Sequence, residues 1–326
     1  MVRTDDIQDG ETARRIGFIL TPGYALMSLT SAVEPLRAAN LLAGRTLYRM
    51  RFFSLEGGFV ESTAGGGFET EPLDRMGTEF DIVFVVAGGN PLQYVPPPAL
   101  ARGLRQLDTR KVPLGGISGG GAVLARLGLM GGRRFTVHWL HIDALSEAFG
   151  DLLIERALYV IDRDRFTCAG GVAAMDMICA VIASDHGTDF AQSVSDWFIH
   201  PRLRHAGEPQ RLDPAGRYNL HHPVLEAVVR LMTSHLADPL SAGQLAALAG
   251  CSPRQLQRLF QDHLNSTTMR FYRDLRLDKA SELLEQSALP VIDIAVSTGF
   301  SGVAHFTRCF AERFGVPPAR WRRGRD

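Results

Sequence analysis

Residues 240–321 contain the same local pattern twice, and this repetition constrains the fold more than any other feature of the chain. Each copy predicts a short helix, a glycine-centred turn and a second helix, which together form a helix-turn-helix unit. In the first copy Gly250 provides the turn, and Ser252 caps a helix whose first residue is Pro253. In the second copy Gly299 provides the turn.

The second helix of each copy has an apolar face and a polar face. Leu256, Leu259 and Phe260 recur at spacings of three and four residues, which predicts that they are core residues. The side chains left outside can bond base edges or phosphates. Gln257 and Thr307 are further polar residues of these helices. The candidate DNA contacts are Ser252, Arg254, Gln255 and Arg258 in the first copy and Ser301, Ala304, His305 and Arg308 in the second.

A continuous helical pattern joins the two copies. Residues 267–285 contain neither proline nor glycine, and about 19 residues at about 1.5 Å each make a rod of about 30 Å. One turn of duplex DNA is about 34 Å long, so such a rod can hold two recognition helices in successive major grooves. The spacing therefore indicates sequence-specific binding of double-stranded DNA. The alternative is an all-helical oligomerisation module.

The order of these features, and especially the segment GFSGVAHFTRCFAERFGVPPARWR, closely resembles the DNA-binding domain of AraC-type transcription regulators. The resemblance covers about the last 100 residues. The sequence departs from the family pattern at Gly302 and Val303, where more polar residues are usual. The whole chain has no net charge, but basic residues outnumber acidic ones by six to two from Ser301 onward. This basic end suits contact with phosphates.

Length and composition restrict the remaining possibilities. A chain of 326 residues suggests about two domains. No apolar run reaches the roughly 18 residues needed to span a membrane, and the first residues show no secretory cleavage pattern, so we expect a cytoplasmic protein. The four cysteines lack paired metal-ligand spacing and are expected to be reduced, buried thiols. We therefore expect neither a metal site nor a cofactor.

Strand-like and helix-like patterns alternate over the first 200 residues. Apolar runs at 16–23, 48–55 and 80–89 indicate strands, with helical patterns between them. This alternation predicts an α/β fold, a doubly wound and mostly parallel sheet with helices on both faces, followed by the all-α domain with two helix-turn-helix units. The predicted boundaries are 13–205 for the first domain, 206–221 for a linker rich in proline, glycine and charge, and 222–326 for the DNA-binding domain.

Pockets in such sheets form at the carboxyl ends of the strands. One loop there is AGGN, residues 87–90, whose glycines expose backbone N–H groups. Another is GGISGGG, residues 115–121, a strand-turn-helix segment centred on Ser118 that is similar to a nucleophile elbow. The segment RFTVHW brings His138 and Trp139 to a further strand end.

These segments, together with IGFILTPG and CAGGVAAMDM, resemble the class I glutamine amidotransferase-like superfamily in its ThiJ/PfpI branch. Enzymes of that branch carry a Cys at the elbow and an acid near the start of the first helix. Here those positions are Ser118 and Ser28, so the resemblance implies a ligand sensor without catalytic residues. The alternative is an amidase or glyoxalase-like hydrolase that uses Ser118 as nucleophile and His138 as base.

The combination of this branch with an AraC-type tail resembles regulators that sense amino acids or methylated amines. Neutral donors at the loops suit the carboxylate of such a small-molecule effector, and the ring of Trp139 suits its cationic end. The resemblance also implies a homodimer that activates transcription. The alternative for His138 is a structural histidine. Glu34 is a candidate acid to orient His138, but its expected role is a pair with Arg37 or a position at a dimer surface. The predicted ligand-binding residues are Ser28, Asn90, Ser118, Gly119, His138 and Trp139.

Overall fold

The computed structural model describes residues 13–211, 216, 218, 220, 222–287 and 289–323. The chain divides after Gln210 into two compact units. Among the described residues, no helix combines the length and the apolar character that a membrane span requires.

The first unit is built around parallel strands. The central strand, IVFVVA, has all six residues buried, as expected for a strand that is covered on both faces. The strands are β1 (Arg14–Leu20), β2 (Tyr48–Ser54), β3 (Gly58–Glu61), β4 (Gly67–Pro72), β5 (Ile82–Ala87), β6 (Leu114–Ser118), β7 (Arg134–Phe135), β8 (Leu153–Ile154), β9 (Tyr159–Asp162) and β10 (Arg165–Cys168). The helices are α1 (Leu26–Ala43), α2 (Pro98–Thr109), α3 (Gly120–Arg126), α4 (Trp139–Ala148), α5 (Ala173–His186) and α6 (Thr188–Trp197).

The main sheet has the strand order β3-β4-β2-β1-β5-β6-β10-β9. Strands β4, β2, β1, β5, β6 and β10 pair in parallel, whereas β3 and β9 are antiparallel to their neighbours. One face packs against α1 and α5, and the other packs against α2, α3 and α4. The predicted fold class, a mostly parallel sheet with helices on both faces, is confirmed.

The chain changes direction across the sheet between β1 and β5. Helix α1 follows β1 and covers one face, whereas α2, which lies beyond β5, covers the other. Such a topological switch point leaves a crevice at the carboxyl ends of the two strands.

The first unit extends beyond the predicted end of the domain at residue 205, because residues up to Gln210 pack against it. The Gln210 side chain donates to the carbonyl oxygen of Ala157 at 2.6 Å and accepts from the backbone N–H of Trp139 at 2.6 Å. The buried carboxylate of Asp176 accepts from the Arg204 guanidinium at 2.6 Å. These polar contacts hold the last segment of the unit in place.

The second unit is entirely helical in its described residues. Its helices are α7 (Pro223–Ser234), α8 (Ala242–Leu248), α9 (Pro253–Leu264), α10 (Thr268–Gln286), α11 (Val291–Ser297), α12 (Val303–Phe314) and α13 (Pro318–Arg323). Helix α10 spans 19 residues, nearly as predicted, and contributes to two hydrophobic cores. Its first half packs with α7, α8 and α9, and its second half packs with α11 and α12. Ile292 on α11 is 56% exposed, whereas Ile294 and Ala295 face the core.

Candidate DNA-binding surface and effector site

The first candidate recognition helix is α9, which begins as the sequence predicts. The Ser252 hydroxyl accepts a hydrogen bond from the backbone N–H of Gln255 at 3.2 Å, which caps the helix. Ser252, Arg254, Gln255 and Arg258 are all exposed. Gln257 instead turns inward, where its side-chain oxygen accepts from the N–H of Thr268 at 3.2 Å. Gln257 therefore caps α10 and is set apart from the exposed face.

The second candidate recognition helix is α12. Phe306 and Phe310 are buried on one side, so the helix has a core face and a solvent face. The His305 ring lies edge-on to Phe300, with the ring centroids 5.7 Å apart. The candidate contact residues Ser301, Ala304, His305 and Arg308 are all exposed.

Arginines on and near the two recognition helices differ in their contacts. Arg254, Arg258 and Arg308 form no ion pair with any residue that the structure describes. By contrast, Arg313 pairs with Asp278 at 2.6 Å, and Arg276 donates to the carbonyl oxygen of Thr298 at 2.8 Å. The charges of Arg254, Arg258 and Arg308 are therefore available to phosphates or bases.

A close backbone contact joins the turn of the second helix-turn-helix unit to the segment between α7 and α8. Gly299 has φ +75°, and a Cβ at this position would lie 2.5 Å from the carbonyl oxygen of Leu236. The Arg276 guanidinium stacks over the Phe300 ring at 4.3 Å on the same turn. These contacts, together with the shared helix α10, fix the distance between the two recognition helices.

In the first unit the segment around Ser118 has the backbone conformation of an elbow. Ser118 has φ +57°, which few residues other than glycine adopt, and it is the last residue of β6, just before α3. The neighbouring glycines permit close packing, since a Cβ at Gly120 would lie 1.9 Å from the carbonyl oxygen of Val85. The N–H of Gly119 donates to the carbonyl oxygen of Ala87 at 3.0 Å, so a backbone acceptor already occupies this donor.

Ser28 and Ser118 meet beside Gly170. A Cβ at position 170 would lie 3.0 Å from the Oγ atoms of both serines. Beside them lies Cys168, which ends β10 next to β6 and has a fully buried side chain. Burial raises the pKa of the Cys168 thiol to about 12. The thiol is therefore protonated at neutral pH and is a poor nucleophile.

The other predicted ligand residues make local hydrogen bonds. Asn90 is half-buried, and its side-chain oxygen accepts from the N–H of Leu92 at 3.0 Å, which forms a side-chain turn. His138 caps α4, because its Nδ1 accepts from the N–H of Leu140 at 3.3 Å. Trp139 is half-buried, and its ring lies 5.0 Å from the His138 ring.

The carboxylate considered as an orienting acid for His138 is engaged elsewhere. Glu34 accepts a hydrogen bond from the Arg37 guanidinium at 2.7 Å. This pair is one of the two roles expected for Glu34. Among the described residues, no group of three or more metal-ligating side chains is arranged to hold a metal ion.

Comparison with known proteins identifies the family. A helix-turn-helix domain model matches residues 245–324, and a DJ-1/PfpI family model matches residues 14–184. The chain is 44% identical over 315 residues to the HTH-type transcriptional regulator GlxA of Rhizobium meliloti, an alignment that covers 97% of each protein. The chain belongs to the AraC-type transcriptional regulators with an N-terminal DJ-1/PfpI domain.

Two further relatives agree with this assignment. The HTH-type transcriptional regulator CdhR of Pseudomonas aeruginosa is 41% identical over 303 residues, covering 93% of this chain and 90% of CdhR. A crystal structure of an AraC family transcriptional regulator from Pseudomonas putida covers 57% of this chain and 99% of its own, with a TM-score of 0.52 and 26% identity. Both resemblances inferred from the sequence are confirmed, and this AraC-type regulator is a DNA-binding protein.

Two features of the regulator were not predicted from the sequence. Helix α7, which contributes Leu225, Val228 and Met232 to the first helical core, was not predicted, although its apolar residues have helical spacing. The position of Cys168 behind the elbow had no local signal, because the contact joins the ends of two strands that are adjacent only in the sheet.

Proposed function

We propose that this regulator binds paired promoter sites as a homodimer and activates transcription when a small metabolite binds to its first unit. The observation that carries the proposal is that α10 supports two recognition helices, on which the exposed Arg254, Arg258 and Arg308 have no ion-pair partner among the described residues. The first set of base contacts comes from Arg254, Gln255 and Arg258. The second comes from Ala304, His305 and Arg308.

The chemistry of these residues supports base recognition. Arginine donates two hydrogen bonds to guanine, glutamine can pair with adenine, and alanine contacts the methyl group of thymine. Ser252 and Ser301, at the start of their helices, suit phosphate contacts, which set the register of the protein on the duplex.

We propose that the first unit senses its effector without turnover. A serine hydroxyl is a weak nucleophile unless a base activates it, and both reactive positions of the related enzymes are serines here, Ser118 and Ser28. The proposed effector is an amino acid or a methylated amine. The residues proposed to contact it are Ser28, Asn90, Ser118, Gly119, His138 and Trp139.

The elbow conformation of Ser118 favours one alternative function, hydrolysis of an amide or turnover of a glyoxal. Incubation of the pure protein with candidate amides and with methylglyoxal distinguishes the two functions. We expect no steady turnover. Turnover that disappears in Ser118→Ala would support the hydrolase.

DNA binding is tested by fluorescence anisotropy with labelled duplexes from promoters near the gene. We expect one duplex to bind at least about 1,000-fold more tightly than an unrelated sequence, with an affinity that falls as salt rises. Equal affinity for all duplexes, with and without metabolites, would contradict the proposal. Light scattering at micromolar concentration is expected to give the mass of a dimer.

A further inference from the structure

A cavity of about 550 Å³ lies at the carboxyl ends of β1 and β2. Its walls come from the loop after β1, the loop after β2, strand β3, the segment that follows β5, and the start of α2. Its size falls within the range of about 300 to 1,000 Å³ that is usual for small-molecule sites. Residues that give the cavity its chemical character are Thr21, Glu56, Phe59, Glu61, Tyr94 and Leu100.

The cavity lies beside the topological switch point of the sheet. Thr21 follows β1 and Tyr94 follows β5, and these are the two strands whose following helices cover opposite faces. Open α/β sheets bind their ligands in this crevice, since the two diverging connections leave space between them. The position therefore favours a ligand site over a packing defect.

The cavity is separate from the elbow. Among the described residues, its wall includes neither Ser28 nor any residue of the elbow segment 115–121. Between the two sites the loops after β1 and β5 close on each other, because a Cβ at Gly88 would lie 2.2 Å from the carbonyl oxygen of Gly23.

The lining combines apolar surface with negative charge. Most of the wall is aliphatic or aromatic, and its two charged residues are Glu56 and Glu61. No basic residue is found among the described residues of the wall, and neither carboxylate forms an ion pair within the described part of the chain. The nearby Arg51 is paired with Glu71 at 2.6 Å and is not part of the wall.

Uncompensated carboxylates beside an apolar wall favour a positively charged ligand with an apolar body. The Tyr94 ring is half-buried and the Phe59 side chain is 59% exposed, so one ring can pack against the body and the other can cover the entrance. Aromatic rings also attract a cation through their faces. An anion would meet two like charges and no basic side chain.

We infer that this cavity is a second ligand site of the first unit, which binds a small organic cation. The ammonium or guanidinium group lies at Glu56 and Glu61, and the apolar body packs against Tyr94 and Leu100. The biological role of this site rests on the proposed function. Binding at the cavity does not, because it can be measured without DNA.

Isothermal titration of the full-length protein with 2-phenylethylammonium tests the inference. The neutral 2-phenylethanol and the anionic 3-phenylpropanoate have similar size and differ in charge. We expect the cation to bind about two- to fivefold more tightly than the alcohol for each carboxylate that it contacts, as for other exposed ion pairs. The anion is expected to bind more weakly than the alcohol.

Glu56→Gln and Glu61→Gln keep the shape of the wall and remove its charge. In the double variant the cation is expected to bind with the affinity of the alcohol. Glu147→Gln makes the same change at an exposed position of α4 outside the cavity, and Ser118→Ala changes the elbow. Both are expected to bind the cation as wild type does.

Two outcomes would overturn the inference: equal affinities for all three compounds, or a loss of cation binding in Ser118→Ala that matches the loss in the double variant. DNA binding is measured on the same preparations. If sequence-specific DNA binding is absent while the carboxylate-dependent binding of the cation remains, the proposed function fails and the cation site stands.

Discussion

The Ser28 hydroxyl accepts a hydrogen bond from the backbone N–H of Gly171 at 2.7 Å. This bond connects α1 to the loop after β10 and keeps Gly170 against Ser118. Ser28 is only 3% exposed, so water cannot easily replace the hydroxyl if it is removed. The residue was predicted as a ligand contact, and in the structure its hydroxyl holds the loop after β10 beside the elbow.

Ser28→Ala is therefore expected to lower the free energy of unfolding by about 1 to 3 kcal/mol, because it leaves a buried N–H without its partner. Ser146→Ala removes an exposed hydroxyl from α4 and is expected to change stability by less than about 0.5 kcal/mol. Urea unfolding of both variants gives the comparison. Equal stabilities would show that the bond to Gly171 contributes nothing.

Arg254→Ala is expected to weaken binding to the specific duplex by about 1 to 3 kcal/mol and to relax the sequence preference at one base pair. The exposed Arg254 has no ion-pair partner among the described residues, so its loss removes a DNA contact without breaking a native one. Arg230→Ala removes the same charge from α7, outside the recognition helices. Anisotropy should show a much smaller loss for Arg230→Ala, and equal losses would argue against base recognition by α9.

Features set by short-range patterns were predictable from the sequence. The glycine turns, the Ser252 cap and the length of α10 depend on neighbouring residues, and the structure agrees with each. The hydrogen bond from Gly171 to Ser28 joins residues 143 positions apart, and the inward turn of Gln257 depends on the start of the next helix. Helical periodicity alone did not distinguish the exposed Ile292 from the buried Ile294. The cavity at the switch point could not be predicted without the strand order of the sheet.

Gly299→Ala and Gly250→Ala form a matched pair, since both glycines lie in the turn of a helix-turn-helix unit with positive φ, +75° and +67°. The left-handed conformation costs alanine about 1 to 2 kcal/mol at each position. At Gly250 the new methyl group meets open space, whereas at Gly299 it would lie 2.5 Å from the carbonyl oxygen of Leu236.

Because overpacking adds about 1 to 3 kcal/mol, we expect Gly299→Ala to be the less stable of the two. Thermal unfolding followed by circular dichroism measures the difference. The contact with Leu236 also positions the second recognition helix, so Gly299→Ala should weaken specific DNA binding. Equal stability and equal DNA affinity of the two variants would contradict the role assigned to this contact.

The pH dependence of stability should carry the signature of His141, which is 9% exposed on α4. Burial, and secondly the charge of His138, lower the pKa of His141 to about 4. In the unfolded chain the pKa is about 6.5, so between pH 6.5 and pH 4 the unfolded state binds a proton that the native state does not. Stability therefore falls as pH decreases through this window. Below about pH 4 the protonation of His141 causes no further loss.

His141→Leu is expected to remove this part of the pH dependence. The stability of wild type relative to the variant should decrease by about 3 kcal/mol between pH 6.5 and pH 4, since each unit of pKa difference corresponds to about 1.4 kcal/mol. Urea unfolding at several pH values gives the difference, in which the contributions of the other acidic groups cancel. Ser146→Ala, which changes no titratable group, should give a difference from wild type that does not vary with pH. If the free energy of unfolding of His141→Leu also differs from that of wild type by the same amount at every pH, burial does not lower the pKa of His141.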